Sequence, residues 1–191
     1  MSKAKITKFL PHGPADTGLV EWFKIDPNDL EAGNPVQNIH ICHEIEAAGY
    51  LAGVWDCTPM TARFGRYDVH EFMLLLEGSL TMILADGTEV TVKAGDAFII
   101  PKGLPCQWKQ TEYVRKFFMI FEDPGAPAAA DVEAQGIILP QPGGPAGGFK
   151  AVDIPDPSIY IGDPPIQHEH TYFTDPTGQM TVGLWDSTPF E

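Results

Sequence analysis

The sequence predicts an all-β protein, and three observations carry that reading. Leu80, Met82 and Leu84 alternate with polar or smaller neighbours, Val90 and Val92 do the same, and Asp86-Gly87 lies between the two runs. Period-two alternation on both sides of an Asp-Gly pair is the local signature of a β-hairpin. Ala97-Phe98-Ile99-Ile100 is wholly apolar and ends at Pro101, as expected of a strand covered on both faces that cannot extend its ladder through a proline. The 19 Gly and 18 Pro punctuate the chain too often for long helices.

Taken in order, residues 1–37 read as an N-terminal arm. Leu19 to Ile25 forms a short strand, and Asp26 to Ala32 a single helical turn, with Asp26 as its N-cap and Pro27 at the first helical position. Residues 38–123 form the barrel. Ile39 and Ile41 mark one strand and Tyr50 to Cys57 a second. The central hairpin is expected to turn through a two-residue type I′ loop at Asp86-Gly87, because both residues tolerate positive φ. Tyr113 to Phe121 closes the barrel, with Val114, Lys116, Phe118 and Ile120 on one face and Arg115, Phe117, Met119 and Phe121 on the other. Residues 124–150 are rich in Pro, Gly and Ala around the patch Ile137-Ile138-Leu139, and read as a linker over the surface.

Bulk properties narrow the function. A net charge of −14 argues against unaided binding to nucleic acid or an anionic membrane. Three Cys without paired spacing make no disulfide framework, which fits a reducing compartment and a cytoplasmic location. No run is long and apolar enough to span a bilayer, and MSKAKITKFL lacks the hydrophobic stretch of a signal peptide.

Gly65 to Gly103 also carries a resemblance. The spacing of Gly95, Pro101 and Gly103 resembles the second conserved motif of the cupin superfamily. Glu71, followed by Leu75-Leu76-Glu77-Gly78, resembles the glutamate and turn of the first. Gly53-Val54-Trp55-Asp56-Cys57-Thr58-Pro59 and Val114 to Phe118 resemble the branch related to (S)-ureidoglycine aminohydrolase. The resemblance covers about residues 50–122. It implies a cupin-type (RmlC-like) jelly roll with a site inside its mouth, flanked here by the arm and a strand-bearing C-terminal tail.

That family's metal set is a His-x-His pair and a Glu from the first motif with a His from the second, a donor set suited to Mn, Fe, Ni or Zn. Carried onto this sequence, the Glu is Glu71. The His-x-His positions fall within Phe64 to Tyr67, where no histidine stands, and the second-motif His is Cys106. Glu71 is therefore the candidate catalytic or metal-binding residue of a degenerate site, or a strand carboxylate paired with the backbone, Arg66 or Arg115. Trp55, Tyr67, Cys106 and Trp108 are the candidate substrate-binding residues, with core filling as the rival reading for the aromatics and a small buried hydrophobe for Cys106. His70, next to Glu71, points to the opposite face and reads as an exterior or interface histidine.

The tail repeats an earlier stretch. Gly183-Leu184-Trp185-Asp186-Ser187-Thr188-Pro189 matches Gly53 to Pro59 at five of seven positions, and His170 matches His40 in the same register. Residues 151–191 thus read as the start of a second cupin-like repeat, incomplete in this chain. Its strands must belong to a longer chain, add to the first barrel, or cross to a neighbouring subunit. His168 and His170 form a His-x-His on one strand face and are a secondary metal candidate, as are His40 and Cys42.

The leading expectation is a small-molecule-binding cupin with a degenerate metal site. A metal-dependent enzyme of the aminohydrolase or dioxygenase type and a non-catalytic structural or regulatory barrel are the alternatives. Exposed edge strands and the arm lead us to expect a homodimer.

Overall fold

The computed structural model of the protein describes residues 6–122, 125, 127–154 and 156–191. Parts of the expected arm (1–5), barrel (123), linker (124 and 126) and tail (155) lie outside the described residues. Most alternating and apolar runs become strands, although of the expected strand Leu19 to Ile25 only Val20–Glu21 is one. In chain order these are β1 (Val20–Glu21), β2 (Leu30–Gly33), β3 (Gln37–Ile45), β4 (Tyr50–Cys57), β5 (Met60–Ala62), β6 (Gly65–Arg66), β7 (His70–Glu77), β8 (Ser79–Leu84), β9 (Glu89–Lys93), β10 (Ala97–Ile100), β11 (Pro105–Gln110) and β12 (Val114–Phe121). A short helix α1 (Val132–Gln135) follows, and then β13 (Lys150–Ala151), β14 (Gln167–Thr174) and β15 (Thr181–Ser187).

The chain divides into two units, Met1–Leu139 and Pro140–Glu191. In the first, two antiparallel sheets make the jelly roll. One runs β1-β3-β4-β12-β7-β10; the other runs β2-β5-β11-β8-β9, with β6 also on β11. Inward residues of both sheets, among them Ile39, Met73 and Phe118 from one and Leu80, Met82 and Val92 from the other, form one buried cluster. Period-two alternation places them there.

The hairpin is wider than the expected type I′ turn. Ala85, Asp86 and Gly87 form a three-residue loop, in which Gly87 N–H donates to Leu84 O at 3.0 Å and Leu84 N–H to Thr88 O at 2.9 Å. Gly87 takes φ +84°, and the Asp86 carboxylate accepts from Thr88 N–H at 2.8 Å. One left-handed residue suffices for that loop, so Asp86 serves as a hydrogen-bond acceptor.

Phe98, Ile99 and Ile100 are buried, as the apolar run predicts. Ile99 also exchanges both backbone hydrogen bonds with Ile138, at 2.9 and 3.1 Å, which covers the outer edge of β10. The apolar patch expected on a surface linker is thus part of the first unit. Val132 is buried in the core, and Ile137 and Leu139 pack against it. The arm is likewise built into the sheets. β1 pairs with β3 and β2 with β5, while Asp26 caps a 3₁₀ turn at Pro27–Asp29 by accepting from Asn28 N–H. His70 is buried and not exterior: its Nδ1 accepts from Lys102 N–H at 3.0 Å and its ring stacks on Phe121. The neighbouring strand and the turn after Pro101 cover the face that alternation assigns to it.

In the second unit, β13, β14 and β15 hydrogen-bond to one another as a separate three-stranded sheet. The pairing of β14 with β15 follows that of β3 with β4. Gln37 opposite Cys57 recurs as Gln167 opposite Ser187, and Asn38 opposite Asp56 as His168 opposite Asp186. The register breaks at the same point, after Ile41 in one and Thr171 in the other. Beyond both hairpins a threonine hydroxyl accepts a backbone N–H at 2.9 Å, Thr58 from Val36 and Thr188 from Ile166.

Candidate functional site

Between the two sheets of the first unit lies a cavity of about 300 Å³. Its walls are mostly apolar, with Trp22, Met60, Phe118 and Ile120 among them; its polar side chains are Gln37, Tyr67, Glu71 and Lys116. Strand alternation sets the polar end. Glu71 and Met73 share the inward row of β7, and Val114, Lys116, Phe118 and Ile120 that of β12.

Lys116 is the partner of Glu71. Lys116 Nζ donates to Glu71 Oε1 at 2.8 Å, with both side chains buried. The Tyr67 hydroxyl donates to the other carboxylate oxygen. The ammonium also touches Met73 Sδ at 3.1 Å and lies 4.7 Å from the centroids of both the Trp55 and Trp108 rings. Cation–π contact with two indoles compensates part of the cost of burying the charge. The indoles meet edge to face with centroids 6.1 Å apart. Each is held by a buried glutamine. Trp55 Nε1 donates to Gln37 Oε1, and Trp108 Nε1 to Gln110 Oε1, both at 2.8 Å. Gln37 is tied in turn to Phe23 O, and Gln110 to Cys57 O and Thr58 O.

Burial, with the neighbouring Glu71 carboxylate, pushes the Tyr67 hydroxyl well above its ordinary range, so it remains a donor. Burial also pushes the thiols of Cys57 and Cys106 up to about 11.

The arginines considered as partners of Glu71 go elsewhere. Arg66 donates to Gly103 O and lies 3.9 Å from Glu133. Arg115, on the outward row of β12, pairs with Glu77 at 3.2 Å and donates to Tyr113 OH, which donates to Asp56. Trp55, Tyr67, Glu71 and Trp108 line the cavity, whereas Cys106 packs within the hydrophobic cluster. Sequence reasoning missed Lys116, Gln37, Gln110 and Trp22. The readable signal was a lysine in an otherwise apolar inward row: such a residue needs a buried counter-charge, and Glu71 is the acid in the inward row of the adjacent strand.

These residues do not fit the metal set that the fold implies. An ammonium holds one oxygen of Glu71 and a hydroxyl the other, and a cation beside Lys116 would meet like charge at contact distance. Among the described residues no group of three or more His, Cys, Asp or Glu side chains is arranged around a common point. In the second unit His168 Nδ1 lies 2.8 Å from Asp186 Oδ1, and the His170 ring meets Tyr172 edge to face. In the first, the bulge after Ile41 breaks the alternation in which His40 and Cys42 were expected to share a face.

The two-sheet fold with its inward glutamate defines a cupin-domain protein. Within that class, residues 46–118 match the family model described as the EutQ-like cupin domain. A crystal structure of a protein of unknown function from the DUF861 family of Pseudomonas syringae pv. tomato is 33% identical, over 53% of this chain and 43% of that one, with a TM-score of 0.51. A DUF861-family protein from Thermotoga maritima is 33% identical over 37% of this chain and 78% of its own, with a TM-score of 0.34. The EutQ protein of Clostridium difficile is 20% identical over 53% and 82%, with a TM-score of 0.40. This chain spans less than half the length of the Pseudomonas protein. No curated protein matches the sequence. No helix among the described residues is long and apolar enough to cross a membrane.

Proposed function

We propose that the first unit binds a small, largely apolar molecule, in a cavity whose polar end is an internal ion pair instead of a metal ion. The observation that carries this reading is the 2.8 Å contact between Lys116 Nζ and Glu71 Oε1 inside the cavity. The ammonium supplies the positive charge beside the inward glutamate; two indoles hold the ammonium, and the Tyr67 hydroxyl holds the carboxylate. The metal-dependent alternative has less behind it, because Glu71 is already engaged at both oxygens and Cys106 packs into the core. The sequence resemblance to ureidoglycine aminohydrolase, carried by Gly53 to Pro59 and Val114 to Phe118, comes without the histidines of that family's metal set. We further read the β14–β15 hairpin as a second copy of β3–β4, supported by the shared register, the shared bulge and the matching threonine contacts.

The test uses benzyl alcohol as a neutral probe that fits the cavity. A saturable rise in unfolding temperature is expected, with a change in tryptophan emission, and both are lost in Ala62→Trp, because Ala62 lines the cavity and an indole there fills it. A folded protein that shows no saturable response would end the reading. So would stoichiometric Mn, Fe, Ni or Zn in untagged protein that disappears in Glu71→Gln.

A further inference from the structure

The geometry points to Lys116 as the amine that captures a small apolar aldehyde or ketone as an iminium, with Glu71 carrying the protons. The inference rests on the cavity reading above and names the class of molecule taken there.

Four features of the site bear on it. Lys116 is a primary amine in the cavity wall. Its counter-ion is within direct proton-transfer distance, at 2.8 Å. The walls are predominantly hydrocarbon and indole, so a small apolar carbonyl compound can lie against them with its carbonyl carbon at the amine. The Tyr67 hydroxyl holds Glu71 Oε2 and leaves Oε1 directed at Nζ.

The balance closes without any further reagent. A proton passes from Nζ to Oε1, giving amine and carboxylic acid. The nitrogen lone pair forms a bond to the carbonyl carbon, and the carbonyl π pair moves to oxygen. That oxygen takes the proton from Glu71, while the nitrogen returns one to the carboxylate, giving a carbinolamine. Glu71 then protonates the hydroxyl, which leaves as water, and the nitrogen lone pair forms the C=N bond. Ammonium, carboxylate and carbonyl have become iminium, carboxylate and water, with charge conserved. The product is again a cation at the same point, so it retains Glu71 and the two indole faces that held the ammonium. A carboxylate-bearing substrate is disfavoured, because Glu71 already neutralises the lysine and an added anion in that cavity would be unpaired.

The probe is benzaldehyde with cyanoborohydride, which reduces the iminium to a stable benzylamine, followed by peptide mapping. A lysine buried merely for structure would be labelled after exposed ones such as Lys93 and Lys109. The expected result is the reverse: Lys116 is benzylated about tenfold faster than either, and slowed about tenfold in Glu71→Gln. Ala62→Trp keeps Lys116 and Glu71 but fills the cavity, so it serves where Glu71→Gln fails to fold, and it abolishes labelling at Lys116 only. Benzyl alcohol, isosteric but without a carbonyl, competes with the label. If benzyl alcohol binds and label appears only on exposed lysines, the inference is overturned while the cavity reading stands. If neither compound occupies the cavity, both fall.

Discussion

Glu71 and Lys116 stand on adjacent strands but not opposite each other. Glu71 faces Ile120 and Lys116 faces Leu75, so the lysine reaches along the sheet, over Met73, to close the pair. The contact is therefore as much packing as charge: the lysine stem covers part of the inward row, and its head lies between the indoles. Removing one partner leaves the other charge buried. Glu71→Gln and Lys116→Met are each expected to cost about 3–5 kcal/mol. Glu71→Gln combined with Lys116→Met removes both charges, keeps an amide oxygen for the Tyr67 hydroxyl, and recovers most of that loss. Urea unfolding of the four proteins measures the cycle, and additive costs would show that the pair does not couple.

Much of the fold was legible because it rests on local alternation. The runs around Asp86-Gly87, the apolar Ala97–Ile100 and the inward row Val114–Ile120 each specify a strand and its faces. The hairpin loop was misjudged by one residue, since Asp86-Gly87 is compatible with two loop lengths and the choice depends on which pair closes the ladder. The site was legible in part. Glu71, Trp55, Tyr67 and Trp108 stood out by type and position. Lys116 did not: its place in an apolar row marks a need for a counter-charge, but the contact runs diagonally to Glu71 on the adjacent strand, which no spacing within one strand reveals. Gln37 and Gln110 were hidden for a similar reason: each is set by the indole it anchors. The role of Ile138 on the edge of β10 depends on tertiary packing against a composition typical of linkers.

The glutamine anchors make a separate prediction. Gln110 accepts from Trp108 and donates to Cys57 O and Thr58 O. Gln110→Leu leaves these buried groups unmet, at about 1–3 kcal/mol for each that finds no new partner. It also frees the Trp108 ring from its position against Lys116. A lower unfolding midpoint and altered tryptophan emission are expected, and unchanged emission would place the constraint on Trp108 elsewhere.

Gly53 and Gly183 occupy corresponding places in the two hairpins, and each presses on a backbone carbonyl. A Cβ at Gly53 would lie 2.2 Å from His40 O, and one at Gly183 2.6 Å from His170 O. Neither distance is tolerable, and a carbonyl held in a ladder cannot turn away cheaply. Gly53 lies in β4, between β3 and β12, so Gly53→Ala is expected to cost several kcal/mol, on the order of the larger overpacking losses. Gly183→Ala is expected to act locally, raising amide exchange in β14 and β15 while leaving the first unit's unfolding midpoint unchanged. A fall in that midpoint equal to the one caused by Gly53→Ala would contradict the division into two units.

The thiols give a pH dependence of definite sign. Cys57 and Cys106 are buried, and desolvation raises both to about 11 from an ordinary value of 9.0. The thiolate is the reactive form, so at pH 8 only on the order of a thousandth of either thiol is ionised in the folded state. Cys42 is half-buried, and its thiol is raised by burial alone. Iodoacetamide at pH 8 should therefore modify Cys42 and spare Cys57 and Cys106 until the protein unfolds. The same shifts link stability to pH. The unfolded chain releases these protons near pH 9 and the folded chain near pH 11, so the thiols' contribution to stability is constant below about 9 and falls as pH rises between the two. Cys57→Ala and Cys106→Ala should each flatten that fall, whatever they cost at neutral pH. Rapid alkylation of Cys106 in folded protein at pH 8 would mean that its thiol is open to the cavity and reactive there.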